Sequence, residues 1–246
     1  MVNVFDVNIN FLKGDITTMK IEVFYDSLCS WCRVGKVNLH KAIDKLVAAG
    51  KIKEEDIEII FRGYVIYPDY KPEGEDYKAI QIANDDTADW DPAKNTPIHR
   101  WAKRAGLNFE FDRITVKPNT FKSHQLLYLV RDIKPEAFEP LLNDIQQAWF
   151  EDGLNISDID VLCALAKKYV NDIYPLKEKV LAGEKLDEVK RDTFEIAEGK
   201  YKIDLCPMFV FDETVTLEGM IPPADFEKAL LGQPVGVPVS ERKYDE

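Results

Sequence analysis

Residues 21–32, IEVFYDSLCSWC, decide the fold of this chain. Residues 21–25 are mostly β-branched or aromatic, which predicts a buried strand. A helical pattern runs from residue 33 to residue 49, so Cys29 and Cys32 stand where a helix begins. Unpaired backbone N–H groups and the positive end of the helix dipole favour a thiolate at that position. A Cys-x-x-Cys pair between a strand and a helix therefore indicates a centre of thiol–disulfide exchange.

The two cysteines are predicted to have different roles. Cys29 lies nearer the start of the helix and is expected to be the attacking nucleophile, with a lowered pKa. Cys32 lies one turn further in and is expected to resolve the mixed disulfide. Trp31 would offer an apolar wall to a substrate chain. The alternatives are two ordinary buried thiols, or half of a four-ligand zinc site, although the sequence has no second Cys-x-x-Cys and no His-x₃-His.

Composition restricts the class of protein and its partners. The chain has 246 residues, of which 46% are hydrophobic, enough for a sizeable core. Its net charge of −12 argues against a nucleic-acid partner, because binding phosphates requires a basic face. No stretch approaches the roughly 20 apolar residues of a membrane span, and no signal-peptide pattern is visible. We therefore expect a cytoplasmic protein without a membrane partner, in a compartment that keeps most thiols reduced.

The remaining patterns predict an α/β protein. A second strand follows the first helix, and two strands joined by a helix lie parallel with a right-handed crossover. Several helices are expected in the middle of the chain, followed by a helix, a two-stranded hairpin and a last helix. This is a thioredoxin fold with a large all-helical insertion between its β-α-β and α-β-β-α halves. The predicted elements are a strand at 57–62, helices at 97–106, 120–132, 135–151 and from Ser157 onward, a helix at 186–199, strands at 208–211 and 215–217, and a helix at 224–231.

This order predicts a discontinuous domain arrangement. Residues 20–66 and 184–232 form the thioredoxin-like domain, and residues 67–183 form the helical insertion domain. Residues 1–19 are an N-terminal extension, either an extra edge strand or poorly ordered chain. Residues 233–246 contain helix breakers and terminal charges and are expected to form a flexible tail. Within the insertion, the segment up to residue 95 is rich in proline, glycine and acids, which predicts a loop with short helical turns.

Pro207 is a second candidate site residue. It stands at the entry to the predicted strand at 208–211, and proline at the start of a strand requires an explanation. In the thioredoxin arrangement a cis peptide bond here would expose the backbone of Cys206 to an extended substrate segment. A plain trans proline at the start of an edge strand is the alternative, and the predicted arrangement favours cis.

Several motifs together resemble the DsbA-like oxidoreductases of the FrnE type, over residues 20–231. The resemblance implies a thioredoxin fold with a helical insertion, a cytoplasmic location and disulfide oxidoreductase or isomerase activity. It also implies substrate-binding roles for Asn119 and His124, although a lone histidine on a helix is more often a packed residue. The matching segments are residues 21–35 with Asp26, Val34 and Gly35, residues 61–64, 106–109 and 118–121 with His124, residues 206–211, and Gly219.

Two positions depart from the family pattern. Ser30 replaces the usual proline in the first spacer position of the Cys-x-x-Cys motif, and Cys206 replaces the usual non-thiol before the cis proline. Cys206 is expected to lie beside Cys29, where it contributes to the substrate-binding surface. Three interpretations of its thiol stay open: a ligand for a metal ion or iron–sulfur cluster with Cys29 and Cys32, an alternative resolving thiol, or a small reduced side chain that fills space. Cys163 lies on an apolar helix stripe and is interpreted as a core residue.

Three functions are compatible with these features. The first is a thiol–disulfide oxidoreductase or isomerase that acts on a protein or small-molecule thiol or disulfide, without a required cofactor and with glutathione as a candidate co-substrate. The second is a glutathione-dependent isomerase or kappa-type glutathione transferase, which would need only one thiol. The third is a non-catalytic chaperone or adaptor that uses the helical insertion as a docking surface. The intact Cys29–Cys32 pair favours the first.

Overall fold

The computed structural model describes residues 18–83 and 96–235. The extension expected at residues 1–19 lies outside the described residues except for its last two. The tail expected at residues 233–246 lies outside them except for residues 233–235. Within the described ranges, no helix combines the length and the apolar character needed to cross a bilayer.

The helices and strands follow the predicted order. In chain order, the strands are β1 (Met19–Tyr25), β2 (Ile57–Gly63), β3 (Glu75–Asp76), β4 (Val116–Lys117), β5 (Met208–Phe211) and β6 (Val215–Glu218). The α-helices are α1 (Ser30–Ala48), α2 (Tyr77–Ala83), α3 (Pro97–Ala105), α4 (Phe121–Ile133), α5 (Phe138–Phe150), α6 (Ile159–Ala166), α7 (Tyr174–Leu181), α8 (Leu186–Lys190) and α9 (Pro223–Leu230). A π-helical segment, Arg191–Tyr201, continues directly from α8.

The main sheet has four strands in the order β2-β1-β5-β6. Strand β1 pairs in parallel with β2, with Met19 opposite Ile57 and Tyr25 opposite Gly63. Strand β5 pairs antiparallel with β1 on one side and with β6 on the other. The parallel β-α-β unit and the C-terminal hairpin are therefore confirmed. Together with the helical segment between them, they confirm the predicted thioredoxin fold with its helical insertion. The insertion is largely rather than entirely helical, because it also contains the short strands β3 and β4.

Alternate residues of β1 face different layers of the molecule, as the two-residue period of a strand requires. Ile21 and Val23 share a hydrophobic cluster with α1 and α9, whereas Phe24 packs with Ala197 of the π-helical segment. Tyr25, the last residue of β1, joins a third cluster together with Leu28 and the two motif cysteines; this cluster is formed largely by the helical insertion. The start of α1 therefore lies between the sheet and the inserted helices.

A buried polar network connects the sheet to these helices. Arg62 of β2 donates from Nε to Glu22 Oε1 at 2.5 Å and from Nη1 to Asp192 Oδ1 at 3.2 Å. The Tyr128 hydroxyl of α4 donates to Asp192 Oδ2 at 2.7 Å and accepts from the backbone N–H of Gly63 at 2.6 Å. Glu22 and Asp192 are 5% and 2% exposed, so Arg62 compensates two carboxylates that have little access to water.

The start of α6 differs from the prediction. The N-cap is Asp158, whose carboxylate accepts from the backbone N–H of Asp160 at 2.8 Å. Ser157, the predicted first residue, is engaged elsewhere, because its hydroxyl accepts from the backbone N–H of Asn119 at 2.8 Å. The predicted start was wrong because Ser157, with which the expected helix began, is hydrogen-bonded to the distant Asn119 instead.

Two further segments differ from the expected elements. The helix expected at 186–199 is α-helical only in α8 and then π-helical, a change that side-chain periodicity does not reveal. The segment after β2, expected to be a loop with short helical turns, contains the short helix α2 but also strand β3, which pairs antiparallel with β4. Each of those strands has only two residues, too few for a recognisable alternation of polar and apolar side chains.

Candidate active site

Cys29 is the N-cap residue of α1. Its backbone is extended, with φ −86° and ψ 113°, and its sulfur accepts a hydrogen bond from the backbone N–H of Cys32 at 3.1 Å. Serine, threonine and aspartate usually fill this position, because a side-chain acceptor there satisfies an otherwise unpaired N–H group. A sulfur in the same place is held against a fixed donor, which favours its ionised form.

Three sulfur atoms meet at this helix start. The Sγ atoms of Cys29, Cys32 and Cys206 all lie within 4.8 Å of one another. Cys32 Sγ is 3.3 Å from Cys206 Sγ, and Cys29 Sγ is 3.7 Å from the carbonyl oxygen of Cys206. All three are free thiols. The structure thus brings together the two motif cysteines and the cysteine before the predicted cis proline, although they come from opposite ends of the chain.

The bond between Cys206 and Pro207 is cis, as favoured from the sequence. Pro207 and Phe209 pack closely against α1 at Gly35, where an added Cβ would lie 3.2 Å from Pro207 Cγ and 3.1 Å from the Phe209 ring. A glycine at this helical position therefore permits close contact between α1 and the entry to β5. This contact holds Cys206 beside the Cys-x-x-Cys pair.

Access to the sulfurs is graded. Cys29 is 7% exposed and Cys32 is 2% exposed, the order expected from their positions in the helix, although Cys29 is more enclosed than the sequence suggested. Ser30, Trp31 and Cys206 are half-buried. Trp31 packs against hydrophobic clusters on both sides, so it forms part of the wall around the helix start. A reactant would reach Cys29 from the side of these half-buried residues.

Comparison with known proteins is consistent with this geometry. The model of the DSBA-like thioredoxin domain family matches residues 20–231. The chain belongs to this family. Membership implies thiol–disulfide oxidoreductase activity.

Relatives of this DsbA-like chain match over most of their length. YwbO, an uncharacterized protein of Bacillus subtilis, is 25% identical over 214 residues, covering 87% of this chain and 96% of YwbO. The crystal structure of a probable DsbA oxidoreductase from Streptomyces coelicolor is 24% identical, with a TM-score of 0.70 and 92% of each chain covered. The cytosolic disulfide reductase DsbM from Pseudomonas aeruginosa is 19% identical, with a TM-score of 0.57 and coverage of 86% of this chain and 96% of DsbM. These structures share the fold of the chain.

The thiols of this DsbA-like protein have opposite pKa shifts. Burial by itself raises the pKa of Cys29. Hydrogen bonds from the Cys206 and Cys32 thiols and from the Cys32 backbone N–H more than offset this and lower the pKa of Cys29 to about 5. Burial and hydrogen bonding to the neighbouring sulfurs raise the pKa of Cys32 well above its ordinary value. Burial is also the main cause that raises the pKa of Cys206 well above its ordinary value, and a hydrogen bond to Cys29 is the next. One thiolate and two thiols therefore share the site at neutral pH.

Lys36 is a buried cation that the sequence analysis missed. It lies four residues after Cys32 in α1 and is 3% exposed. Its ammonium group donates to Asn143 Oδ1 and lies 4.0 Å from Glu139 Oε1. Burial lowers the pKa of Lys36 to about 8, while Glu139 and Cys32 act in the opposite direction. A lysine on the same helix face as Cys29 and Cys32 is the signal that could have identified it.

Asp26 and His124 form a fully buried pair. Both are 0% exposed, and His124 Nε2 lies 3.2 Å from Asp26 Oδ1. Asp26 Oδ2 also accepts from the backbone N–H of Ile66 at 2.8 Å. His124 therefore holds the segment that leads into the motif, which favours its interpretation as a packed helix residue.

Asn119 is also occupied within the protein. It is 6% exposed, and its side chain donates to the carbonyl oxygen of Tyr70 at 2.7 Å and accepts from the backbone N–H of Phe121 at 3.2 Å. These bonds fix the loop before α4. The structure brings neither Asn119 nor His124 to the surface beside the thiols, and contact with a substrate would require their present hydrogen bonds to break.

Proposed function

We propose that this protein is a thiol–disulfide oxidoreductase in which Cys29 is the nucleophile and Cys32 is the resolving thiol. The observation that carries the proposal is the position of the Cys29 sulfur at the N-cap of α1, 3.1 Å from the Cys32 backbone N–H. The pKa of about 5 makes Cys29 almost wholly ionised at neutral pH. The thiolate is the form that attacks disulfides.

The reaction follows from the two thiols. The Cys29 thiolate attacks one sulfur of a substrate disulfide, which releases one substrate thiolate and leaves a mixed disulfide on Cys29. Cys32, after losing its proton, attacks the Cys29 sulfur and releases the second substrate thiolate. The products are a reduced substrate and a Cys29–Cys32 disulfide, so two electrons pass from the protein to the substrate. The reverse sequence oxidises a dithiol substrate.

Formation of the mixed disulfide activates Cys32. The charge of the Cys29 thiolate is one of the causes that raise the pKa of Cys32, and this charge disappears when Cys29 forms a disulfide. The Lys36 ammonium interacts favourably with an ionised Cys32, as the upward effect of Cys32 on the pKa of Lys36 indicates. Cys32 therefore becomes a better nucleophile at the step in which it is required.

The surroundings of Cys29 support a binding surface for the substrate. The Cys206 carbonyl lies 3.7 Å from Cys29 Sγ, beside Pro207, and we propose that it accepts a hydrogen bond from an extended substrate segment. Half-buried Trp31 supplies apolar surface next to it. We assign Pro207 a role in shaping the site, and Trp31 and Cys206 roles in substrate contact.

We further propose glutathione as a co-substrate, with no bound cofactor. The structure of DsbM, which shares this fold, was determined with glutathione. A low-pKa cysteine with restricted access is suited to a small thiol or its mixed disulfide as well as to a flexible peptide. This chemistry is compatible with a cytoplasmic location, where glutathione is the abundant thiol.

Replacing Cys32 with serine tests the division of roles. In Cys32→Ser, Cys29 still attacks glutathione disulfide and releases one glutathione thiolate, but resolution does not follow, so the glutathione mixed disulfide on Cys29 is expected to accumulate. We expect multiple-turnover reduction of a peptide disulfide to fall by at least about 100-fold. Mass spectrometry of the intact protein and of its peptides measures the adduct, and Cys163→Ala is the matched control. Full turnover by Cys32→Ser would instead favour a glutathione-dependent isomerase or transferase, which needs one thiol.

A further inference from the structure

The active site contains one more thiol than disulfide exchange requires. Cys29 and Cys32 are sufficient for the proposed reaction, yet Cys206 places a third sulfur 3.3 Å from Cys32 Sγ. The three sulfurs come from two separate supports, the first turn of α1 and the entry to β5. Contact between Gly35 and the ring of Pro207 keeps these supports close together.

The distances between the sulfurs fit a common ligand. A zinc ion with Zn–S bonds of about 2.3 Å in tetrahedral geometry holds its sulfurs about 3.8 Å apart. The three sulfurs here lie within 4.8 Å of one another, and Cys32 Sγ is 3.3 Å from Cys206 Sγ. The required separation of about 3.8 Å lies between these two distances. The site therefore has the size of a three-thiolate metal site before any movement of the backbone.

We propose that the reduced forms of Cys29, Cys32 and Cys206 together bind one thiophilic cation of the Zn²⁺ or Cu⁺ class. Thiolates are soft ligands, which select such ions over Mg²⁺ or Ca²⁺. Cys206 is half-buried, so the fourth coordination position of the ion faces this side of the site and is filled by water or by an incoming thiol. This site goes beyond the proposed exchange reaction, since binding requires only the reduced thiols and no turnover.

The charges around the site favour a cation. Asp26 is 0% exposed, and its carbonyl oxygen accepts from the backbone N–H of Cys29 at 3.1 Å, so a buried carboxylate next to the site makes the electrostatic potential at the sulfurs more negative. The positive charge of Lys36 has the opposite effect on the electrostatic potential near Cys32. Each cysteine binds the ion as its thiolate, so a thiol proton is released to solvent when the ion binds.

Metal binding and disulfide formation exclude each other. A substrate disulfide that accepts two electrons from Cys29 and Cys32 converts two of the three ligands into a disulfide, and Cys206 alone cannot hold the ion. Oxidation of the pair therefore releases the cation. Conversely, the bound cation occupies the lone pairs with which Cys29 would attack a substrate.

Anaerobic titration of the fully reduced, full-length protein with Co²⁺ tests the proposal, because thiolate-to-cobalt charge-transfer bands report the ligands directly. We expect one Co²⁺ per chain, displaced by one equivalent of Zn²⁺, and no binding after oxidation of the Cys29–Cys32 pair. Cys206→Ser is expected to weaken Zn²⁺ affinity by at least about 100-fold, because it removes a direct ligand. Loss of a residue that only hydrogen-bonds to a ligand typically weakens metal affinity by at most about 100-fold. Cys163→Ala, which removes a remote thiol, should bind as the unmodified protein does.

Two results would overturn the proposal. The first is the absence of stoichiometric thiolate-to-cobalt bands from the reduced protein, a measurement that needs no variant. The second is equal Zn²⁺ affinity in Cys206→Ser, or in Cys206→Ala if the serine variant does not fold, since the motif pair alone would then hold the ion. Neither result bears on exchange activity, which the Cys32→Ser experiment measures separately.

Discussion

Replacing Cys29 with serine is expected to reduce the rate of disulfide exchange by at least about 1000-fold, because a hydroxyl at neutral pH does not attack a disulfide. The change keeps a good N-cap residue at the start of α1, so the helix and the fold should persist. The measurement is the initial rate of reduction of a peptide–glutathione mixed disulfide, together with thermal unfolding of the variant.

The control for this experiment is Cys163→Ala. Cys163 is buried in α6, away from the three-sulfur site, and its removal should leave the exchange rate within about twofold of the unmodified protein. Retention of more than a tenth of the rate in a folded Cys29→Ser protein would show that another thiol initiates the reaction. Cys206, with its half-buried side chain, would then be the next candidate.

The largest expected effect on stability comes from Arg62→Met. The variant removes the cation that buried Glu22 and Asp192 share and leaves Asp192 with the exposed Arg191, 3.7 Å away. Breaking a buried pair from one side costs about 3 to 5 kcal/mol of unfolding free energy. Urea unfolding at neutral pH measures the loss. Lys45→Met is the matched control: Lys45 is 2.7 Å from Glu227, but its side chain is 68% exposed, so we expect a loss below about 1 kcal/mol.

The pH dependence of this effect has a defined sign. Burial tends to raise the pKa of Glu22, but hydrogen bonds from Tyr201 and Arg62 lower it below its ordinary value. A carboxyl group with a lowered folded-state pKa contributes stability above its unfolded pKa and loses this contribution as the pH falls through the folded value. The difference between Arg62→Met and the unmodified protein should therefore shrink below about pH 4.3. Equal stability of the two proteins at pH 7 would contradict the role assigned to Arg62.

Much of the fold could be predicted because its signals are local. The apolar run of β1, the position of the Cys-x-x-Cys pair before α1 and the two-strand hairpin near Pro207 are each contained in a short segment. Their order along the chain is sufficient to give the parallel β-α-β unit and the antiparallel return. The different expected reactivities of Cys29 and Cys32 also follow from position in the first helical turn.

The rest depends on contacts between distant segments. Cys32 and Cys206 are 174 positions apart in sequence, and only packing of α1 on β5 brings their sulfurs to 3.3 Å. The same holds for His124 and Asp26, 98 positions apart, whose contact explains why this histidine is buried rather than available to a substrate. Lys36 is buried by the inserted helices, one of which carries Asn143, the hydrogen-bond acceptor of the lysine. Such partners have no signature in the local pattern of charge or hydrophobicity.

The pKa of Cys29 is the most direct test of the central claim that its sulfur is a stabilised thiolate at a helix start. The measurement is the rate of alkylation of Cys29 by iodoacetamide as a function of pH, followed peptide by peptide in the fully reduced protein. The account predicts a midpoint near pH 5, with Cys32 and Cys206 unreactive at that pH. A midpoint near the value of about 8.5 that is typical of a free cysteine would contradict it.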